Sequence, residues 1–391
     1  MRTRIVMLAA VAALVAALPA PSRAADTLKI GFIGTFSGPS AVLPQNLYDG
    51  FMLGVDQVGG KLGGLKTEIS KNDVQFKPDI AHQVAERLVK SDHVDIVTGI
   101  LFSNIMMAAY DTIVDSHTIL IGSNAGPSPI AGKDCSPYFF STSWQNDQPH
   151  AAVGKFVQEQ GVKRVFLVAS NYRAGQDALA GFKSQYKGEI VGELYPALGQ
   201  QDYSAEIAQI AASKADATYA FIAGSPAVNF VRQYADAGLM KRKPLYSAFM
   251  IYEVTLPQLG DVALGTRSAA SWTPDLDNPQ NRAFVAAFRQ KYHYMPSLYA
   301  AQGYDSARLI DAAIHQIHGK IADKQALIAA LDKADFQSVR GAFRYNSNHF
   351  PIQNFYGTEI EKDKSGMLYV HDKGLILRDY ADSYAHLCPM K

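Results

Sequence analysis

From Leu28 onward, short β-rich runs alternate with amphipathic stretches whose apolar residues recur every three or four positions. That alternation is buried by parallel sheets covered with helices on both faces, so an α/β fold is expected. Leu28 to Gly34 reads as the first strand, Gln45 to Val58 as a helix, and Leu65 to Lys71 as the second strand. In Pro78 to Lys90, Ile80, Ala81, Val84, Leu88 and Val89 share one face, and Pro78 stands in the first turn, where its missing N–H is not needed. Val94 to Val97 and Thr118 to Ile121 follow as strands around a helix at Asn104 to Asp115. A second cycle opens with a helix from His150 to Gln160. It continues through strands at Arg164 to Val168, Glu189 to Leu194, Thr218 to Ile222 and Pro244 to Ser247, with helices between them. Two long helices, Asn278 to Lys291 and Leu298 to His318, lead into β-rich segments around Phe343, Phe355 to Ile360, Met367 to Val370 and Leu375 to Leu377.

The N-terminus has the three parts of a cleavable export signal: Arg2 and Arg4, an apolar run from Ile5 to Leu18, and the small-residue site Ser22-Arg23-Ala24. Residues 1–24 are therefore set apart from the fold. The apolar run is shorter than the roughly 20 residues that cross a bilayer and ends in prolines, which argues against an anchor. No cysteine follows it to carry a lipid, so a freely diffusing periplasmic protein is expected. The rest of the 391-residue chain exceeds the size at which one core stops growing, about 250 to 300 residues, so two lobes are expected. With 37 Lys and Arg against 36 Asp and Glu and no long block of either sign, nothing points to nucleic acid or an anionic membrane. The two cysteines, Cys135 and Cys388, belong to a chain addressed to an oxidising compartment, and a disulfide between them is expected, with two buried free thiols as the rival.

Ligands of open parallel sheets sit at the carboxyl ends of the strands, which selects the loops to inspect. In the first half these are Thr35 to Ser40, Leu101-Phe102-Ser103-Asn104 and Ser123-Asn124-Ala125-Gly126. In the second half they are Ser170 to Gly175, Ala223-Gly224-Ser225-Pro226 and Ala248-Phe249-Met250-Ile251-Tyr252. Hydroxyls, amides and aromatics dominate. Ser103 stands where a helix begins, either as its N-cap or as a donor to a ligand carboxylate. Phe102, Tyr172, Phe249 and Tyr252 draw attention by their place at strand ends. The fingerprints of enzymes are missing: there is no G-x-S-x-G elbow, no G-x-x-x-x-G-K-S/T loop, and Gly31-Phe32-Ile33-Gly34 is not G-x-G-x-x-G. His315 and His318 read as an exposed helical pair, not a metal site, so neither a metal nor another cofactor is expected.

The order of export signal, Ile30-Gly31-Phe32-Ile33-Gly34 with Ser37-Gly38-Pro39, the Gly99 to Ser103 loop and Gly303-Tyr304-Asp305-Ser306-Ala307 resembles the branched-chain amino acid binding protein family. These are periplasmic substrate-binding components of ABC importers, with the type I periplasmic fold. The resemblance implies two Rossmann-like lobes with parallel central sheets, joined by a three-crossover hinge. Carried onto this sequence, one lobe comprises residues 26–143 plus 275–345 and the other 147–271 plus 349–391. It implies a small-molecule ligand, ABC permease membrane subunits as partners, a monomer, and no chemistry on the ligand. It also makes Ser103 a carboxylate contact. Where amino acid binders of the family keep a small-small-hydroxyl triplet and an acidic residue for the ammonium, this chain has Asn124-Ala125-Gly126 and Phe249, with Glu253 four residues on. The likeness is therefore to the subgroup that takes up aromatic acids of the benzoate, hydroxybenzoate or phenylpropanoid kind. In that reading Ser103 and Asn124, beside Ala125, hold the carboxylate, Leu43, Phe102 and Phe249 hold the ring, and Tyr172 or Ser225 meets a ring hydroxyl. A branched-chain or other amino acid as ligand, a sensing protein of the same fold, and a secreted hydrolase remain as alternatives.

Overall fold

The computed structural model describes residues 27–390; the export signal read at residues 1–24 lies outside the described residues. In chain order the first half runs β1 (Leu28–Gly34), α1 (Val42–Gln57), β2 (Thr67–Asp73), α2 (Pro78–Lys90), β3 (Ile96–Gly99), α3 (Ser103–Asp115), β4 (Ile119–Gly122), α4 (Ser128–Ala131) and β5 (Phe139–Ser141). The second half begins α5 (Asp147–Glu159), β6 (Arg164–Ala169), α6 (Arg173–Gln185), β7 (Glu189–Leu194), α7 (Ser204–Ala212), β8 (Ala217–Phe221), α8 (Pro226–Asp236), α9 (Leu239–Arg242), β9 (Leu245–Ser247), α10 (Leu256–Leu259) and β10 (Arg267–Ala270). It closes with α11 (Pro279–Tyr292), α12 (Leu298–Gln316), α13 (Lys324–Lys333), β11 (Arg344–Tyr345), β12 (Pro351–Lys362) and β13 (Leu368–Tyr380).

The strands form two sheets. The first has the order β2-β1-β3-β4-β5 and is parallel throughout. The second repeats that winding as β7-β6-β8-β9-β10, again parallel, and adds β12, β13 and β11 as antiparallel strands at the β10 side. In each sheet the chain steps first to one side of its starting strand and then to the other. The switch points fall between β1 and β3 and between β6 and β8, and such points open a crevice at the strand ends.

The chain passes between the sheets after β5, again after β10, and a third time before β11. Its return to the first lobe is sealed by the packing of α12 on α1. A Cβ on Gly303 would lie 2.0 Å from the Leu47 carbonyl, and one on Gly50 would lie 1.9 Å from that of Ala300, so the two backbones touch where only glycine fits. Beyond Tyr380 the tail, expected with the second lobe, comes back to the first: Asp382 accepts from Asn348 Nδ2 at 3.0 Å, and Cys388 is disulfide-bonded to Cys135. Arg344–Tyr345, expected with the first lobe, pairs with β12 of the second sheet.

Local signals explain the elements. α2 has Pro78 and Asp79 in its first turn and Arg87 and Lys90 in its last, matching the helix dipole. At α11 the Asn278 side chain accepts from the Asn281 amide at 2.7 Å, capping the helix. Fully buried rings, among them Phe32, Phe51, Phe139 and Phe284, fill the first lobe, while Tyr219 and Phe182 stack at 4.4 Å in the second.

Candidate ligand cleft between the lobes

The site is assembled from strand ends. β3 finishes on Gly99, at φ 94°, followed by Ile100 at φ 57°. A Cβ at Gly99 would come within 2.4 Å of the Ile33 carbonyl, so the turn depends on glycine. The left-handed pair sends the chain through Leu101 and Phe102 directly into α3. Phe102 occupies the capping position and has no side-chain oxygen to offer; Ser103 is the first helical residue, so the N-cap reading of Ser103 is corrected. Among the described residues nothing accepts from the Ser103 and Asn104 amides, and the positive end of the α3 dipole stays available to an anion.

Asn146, in the first crossover, fixes the direction of the Ser103 hydroxyl. Its Oδ1 accepts from the Gly126 amide at 3.0 Å, and its Nδ2 donates to Ser103 Oγ at 3.1 Å and to Asp177 Oδ2 at 3.0 Å. Because Ser103 Oγ already accepts, its proton is free to be donated. Burial pushes the Asp177 carboxyl upward, while hydrogen bonds from Ser128 and Asn146 hold it down. Asn124 Nδ2 donates to the Leu101 carbonyl at 2.7 Å, and its Oδ1 has no partner among the described residues.

Between the lobes these groups border a cavity, and an interface between lobes is a preferred place for a small-molecule site. The first lobe and crossover contribute Leu43, Leu101, Phe102, Ser103, Asn124, Trp144, Asn146 and Tyr299; the second contributes His150, Tyr172, Ala174, Phe221, Ile222, Ala223, Gly224 and Phe249. Of the residues expected from sequence, Leu43, Phe102, Ser103, Asn124, Tyr172 and Phe249 are thus brought together. Ala125 is not: it is fully covered, and its amide donates to the Ile100 carbonyl. Ser225 is not either, because its amide is turned to Ser40 Oγ at 3.3 Å, and Gly224 takes its place in the lining. Glu253 lies outside this cavity and borders a second one.

Sequence reasoning missed Trp144, Asn146, His150, Phe221 and Tyr299. Trp144 and Phe249 stack face to face, with centroids 4.6 Å apart and planes within 8°. Burial drives the His150 imidazole down to about 3, so it is neutral at pH 7. The Tyr219 hydroxyl is hydrogen-bonded to His150 Nδ1 and has no other acceptor among the described residues. Where the Tyr219 hydroxyl donates to Nδ1, the imidazole proton sits on Nε2. Burial also raises the phenols of Tyr172 and Tyr299, which keep their protons.

The sequence pattern of the periplasmic binding protein family matches residues 27–365. The chain belongs to that family. Within it, this periplasmic binding protein is 30% identical over 363 residues to the Leu/Ile/Val-binding protein homolog 6 of Brucella suis biovar 1, covering 90% of this chain and 92% of the relative. Its fold is shared with a solute-binding protein of an R. palustris ABC transporter solved in complex with benzoate. The two are 32% identical with a TM-score of 0.87, over 92% of this chain and 99% of the other. A second R. palustris solute-binding protein, in complex with 4-hydroxybenzoate, is 29% identical with a TM-score of 0.85, over 91% of this chain and 98% of the other. The type I periplasmic fold and the role of substrate-binding component of an ABC transporter follow from these relationships.

Proposed function

We propose that this protein, exported to the periplasm, captures a small aromatic carboxylate of the benzoate, hydroxybenzoate or phenylpropanoid kind and hands it unchanged to the membrane subunits of an ABC importer. The observation that carries the reading is the composition of the cleft. Its lining includes the rings of Phe102, Trp144, His150, Tyr172, Phe221, Phe249 and Tyr299, and among the described residues no Asp, Glu, Lys or Arg lines it. At one end stand the Ser103 hydroxyl and the free amides that open α3, suited to an anion. A benzoate directs its carboxylate to that end, its ring lies among the aromatics and Leu43, and a ring hydroxyl meets Tyr172 or His150.

An α-amino acid brings an ammonium as well, and no lining carboxylate is there to pair with it. An unpaired buried ammonium costs several kcal/mol. That outweighs the branched-chain amino acid reading, which the name of the Brucella relative would favour. The two R. palustris neighbours, with benzoate and 4-hydroxybenzoate bound, support an aromatic acid. Catalysis is disfavoured because Ser103 Oγ is bonded to an amide of Asn146 and not to a general base.

Isothermal titration with benzoate, 4-hydroxybenzoate, leucine and isoleucine tests the proposal. Binding of the aromatic acids with unchanged ligand recovered afterwards is expected. Heat from leucine or isoleucine with none from either aromatic acid overturns it.

A further inference from the structure

Next to the first cavity lies a second, smaller one, between the segment that follows β9 and the faces of β10, β12 and β13. Phe249 lines both cavities, so its ring stands at the partition between them. On the far side the polar groups are Glu253, Ser268 and Thr358, and the apolar wall includes Tyr252, Trp272 and Leu298.

The partition is not a core residue. Phe249 is only partly buried and sits at φ 61°, a left-handed conformation that a bulky side chain rarely adopts. Its ring rests on Trp144 by parallel stacking and meets His150 edge-on at 5.6 Å. A ligand ring can take its place against Trp144 with little loss of contact.

Glu253 is the second observation. Among the described residues no other side chain donates to its carboxyl or pairs with it, although it is half-buried at the edge of the second cavity. Burial, and then the charge of Asp275, push it up to about 8, so at pH 7 it is largely protonated and its carbonyl oxygen accepts hydrogen bonds. A ligand confined to the first cavity does not use it.

On the reading that the first cavity takes an aromatic carboxylate, we propose that Phe249 is a specificity gate. Displaced from Trp144, it joins the two cavities into one slot for a longer aromatic acid whose distal hydroxyl donates to Glu253.

The test is isothermal titration of benzoate, biphenyl-4-carboxylate and 4′-hydroxybiphenyl-4-carboxylate into the unmodified protein, Phe249→Gly and Glu253→Leu. Glycine suits the φ at 249, so Phe249→Gly removes the ring without backbone strain. The unmodified protein is expected to bind all three acids, and the hydroxybiphenyl acid about tenfold more tightly than the biphenyl acid. Phe249→Gly is expected to tighten both biphenyl acids and weaken benzoate. Glu253→Leu is expected to erase the advantage of the hydroxyl and leave benzoate unchanged. The gate is overturned if benzoate binds but neither biphenyl acid does, in the unmodified protein and in Phe249→Gly alike. The role of Glu253 is overturned if the hydroxyl gives no advantage, or keeps it in Glu253→Leu. Absence of benzoate binding overturns the aromatic-acid reading itself, and the gate with it.

Discussion

Arg340 and Asp305 form an ion pair at 3.0 Å in which the side chains are only 3% and 0% exposed. Asp305 comes from α12, and its carboxylate also accepts from Ser338 Oγ and the Val339 amide. Arg340, in the third crossover, donates further to the Thr142 and Ser143 carbonyls of the first crossover and to Gln353 Oε1 in β12. One guanidinium thus ties two crossovers to both lobes. The late-helix motif read from sequence acquires a physical meaning: Gly303 admits α1, Asp305 holds Arg340, and Ser306 Oγ meets the hydroxyls of Ser123 and Thr142.

Removing one partner of such a pair leaves a buried charge without compensation. Arg340→Met is expected to lower stability by about 3–5 kcal/mol, measured by urea unfolding. Arg340→Met combined with Asp305→Leu should recover a large part of that loss.

Asp147, at the start of α5, predicts a pH dependence. Burial raises its carboxyl to about 7 against the hydrogen bond it accepts from Ser383 Oγ at 2.7 Å, and its Oδ1 has no partner among the described residues. Below about pH 4 both folded and unfolded chains hold the proton. As pH rises toward about 7, the unfolded chain releases it while the folded chain keeps it, so this residue's contribution to stability falls. Above that the penalty is constant. Asp147→Asn is therefore expected to raise Tm at pH 8 and to lose that advantage below about pH 4, as followed by circular dichroism melts.

Ser103→Ala removes a hydroxyl whose proton is free to reach an anion, but leaves the helix amides in place. Hydrogen bonds to charged groups contribute about 1.5–3 kcal/mol, so benzoate affinity should fall by roughly 10- to 150-fold. The ligand-free Tm should change little. Titration and melting of the same sample check both.

Much of the winding was legible because it rests on local patterns. The ends of β1, α2 and β7 fall where periodicity and capping residues put them. β10 was not legible, since Arg-Ser-Ala-Ala has no strand preference of its own and pairs only because β9 and β12 flank it. β5, with three residues, is too short to show a period. In the cleft, strand-end loops led to Phe102, Ser103, Asn124, Tyr172 and Phe249. His150 could not be found that way: its partner Tyr219 is 69 residues distant, and His150 reads locally as one more position of a helix. Trp144 and Asn146 read as a break between lobes, and only the juxtaposition of the lobes makes them part of the cavity lining.

The Cys135–Cys388 disulfide closes a loop with a sequence separation of 253. Cys388→Ser with Cys135→Ser is expected to cost about 2–5 kcal/mol in urea unfolding. Neither cysteine borders the cleft, so benzoate affinity should be retained at temperatures where the variant is folded.

Closure of the lobes is separable from contact with the ligand. Asp177, on α6, accepts from the Ser128 amide at 3.1 Å and from Ser128 Oγ at 2.7 Å, so it joins the second lobe to α4 of the first. The Ser225 amide donates to Ser40 Oγ at another point of the seam. Asp177→Ala removes the stronger link and the partner of Asn146 Nδ2, without deleting any group that lines the cavity. The closed fraction should fall, and apparent affinity falls in proportion to that fraction. Benzoate binding is therefore expected to weaken about tenfold, while small-angle X-ray scattering of the ligand-free protein shows a larger radius of gyration. Ser103→Ala should weaken binding with no change in that radius. If Asp177→Ala leaves both the radius and the affinity as they were, Asp177 is not the latch.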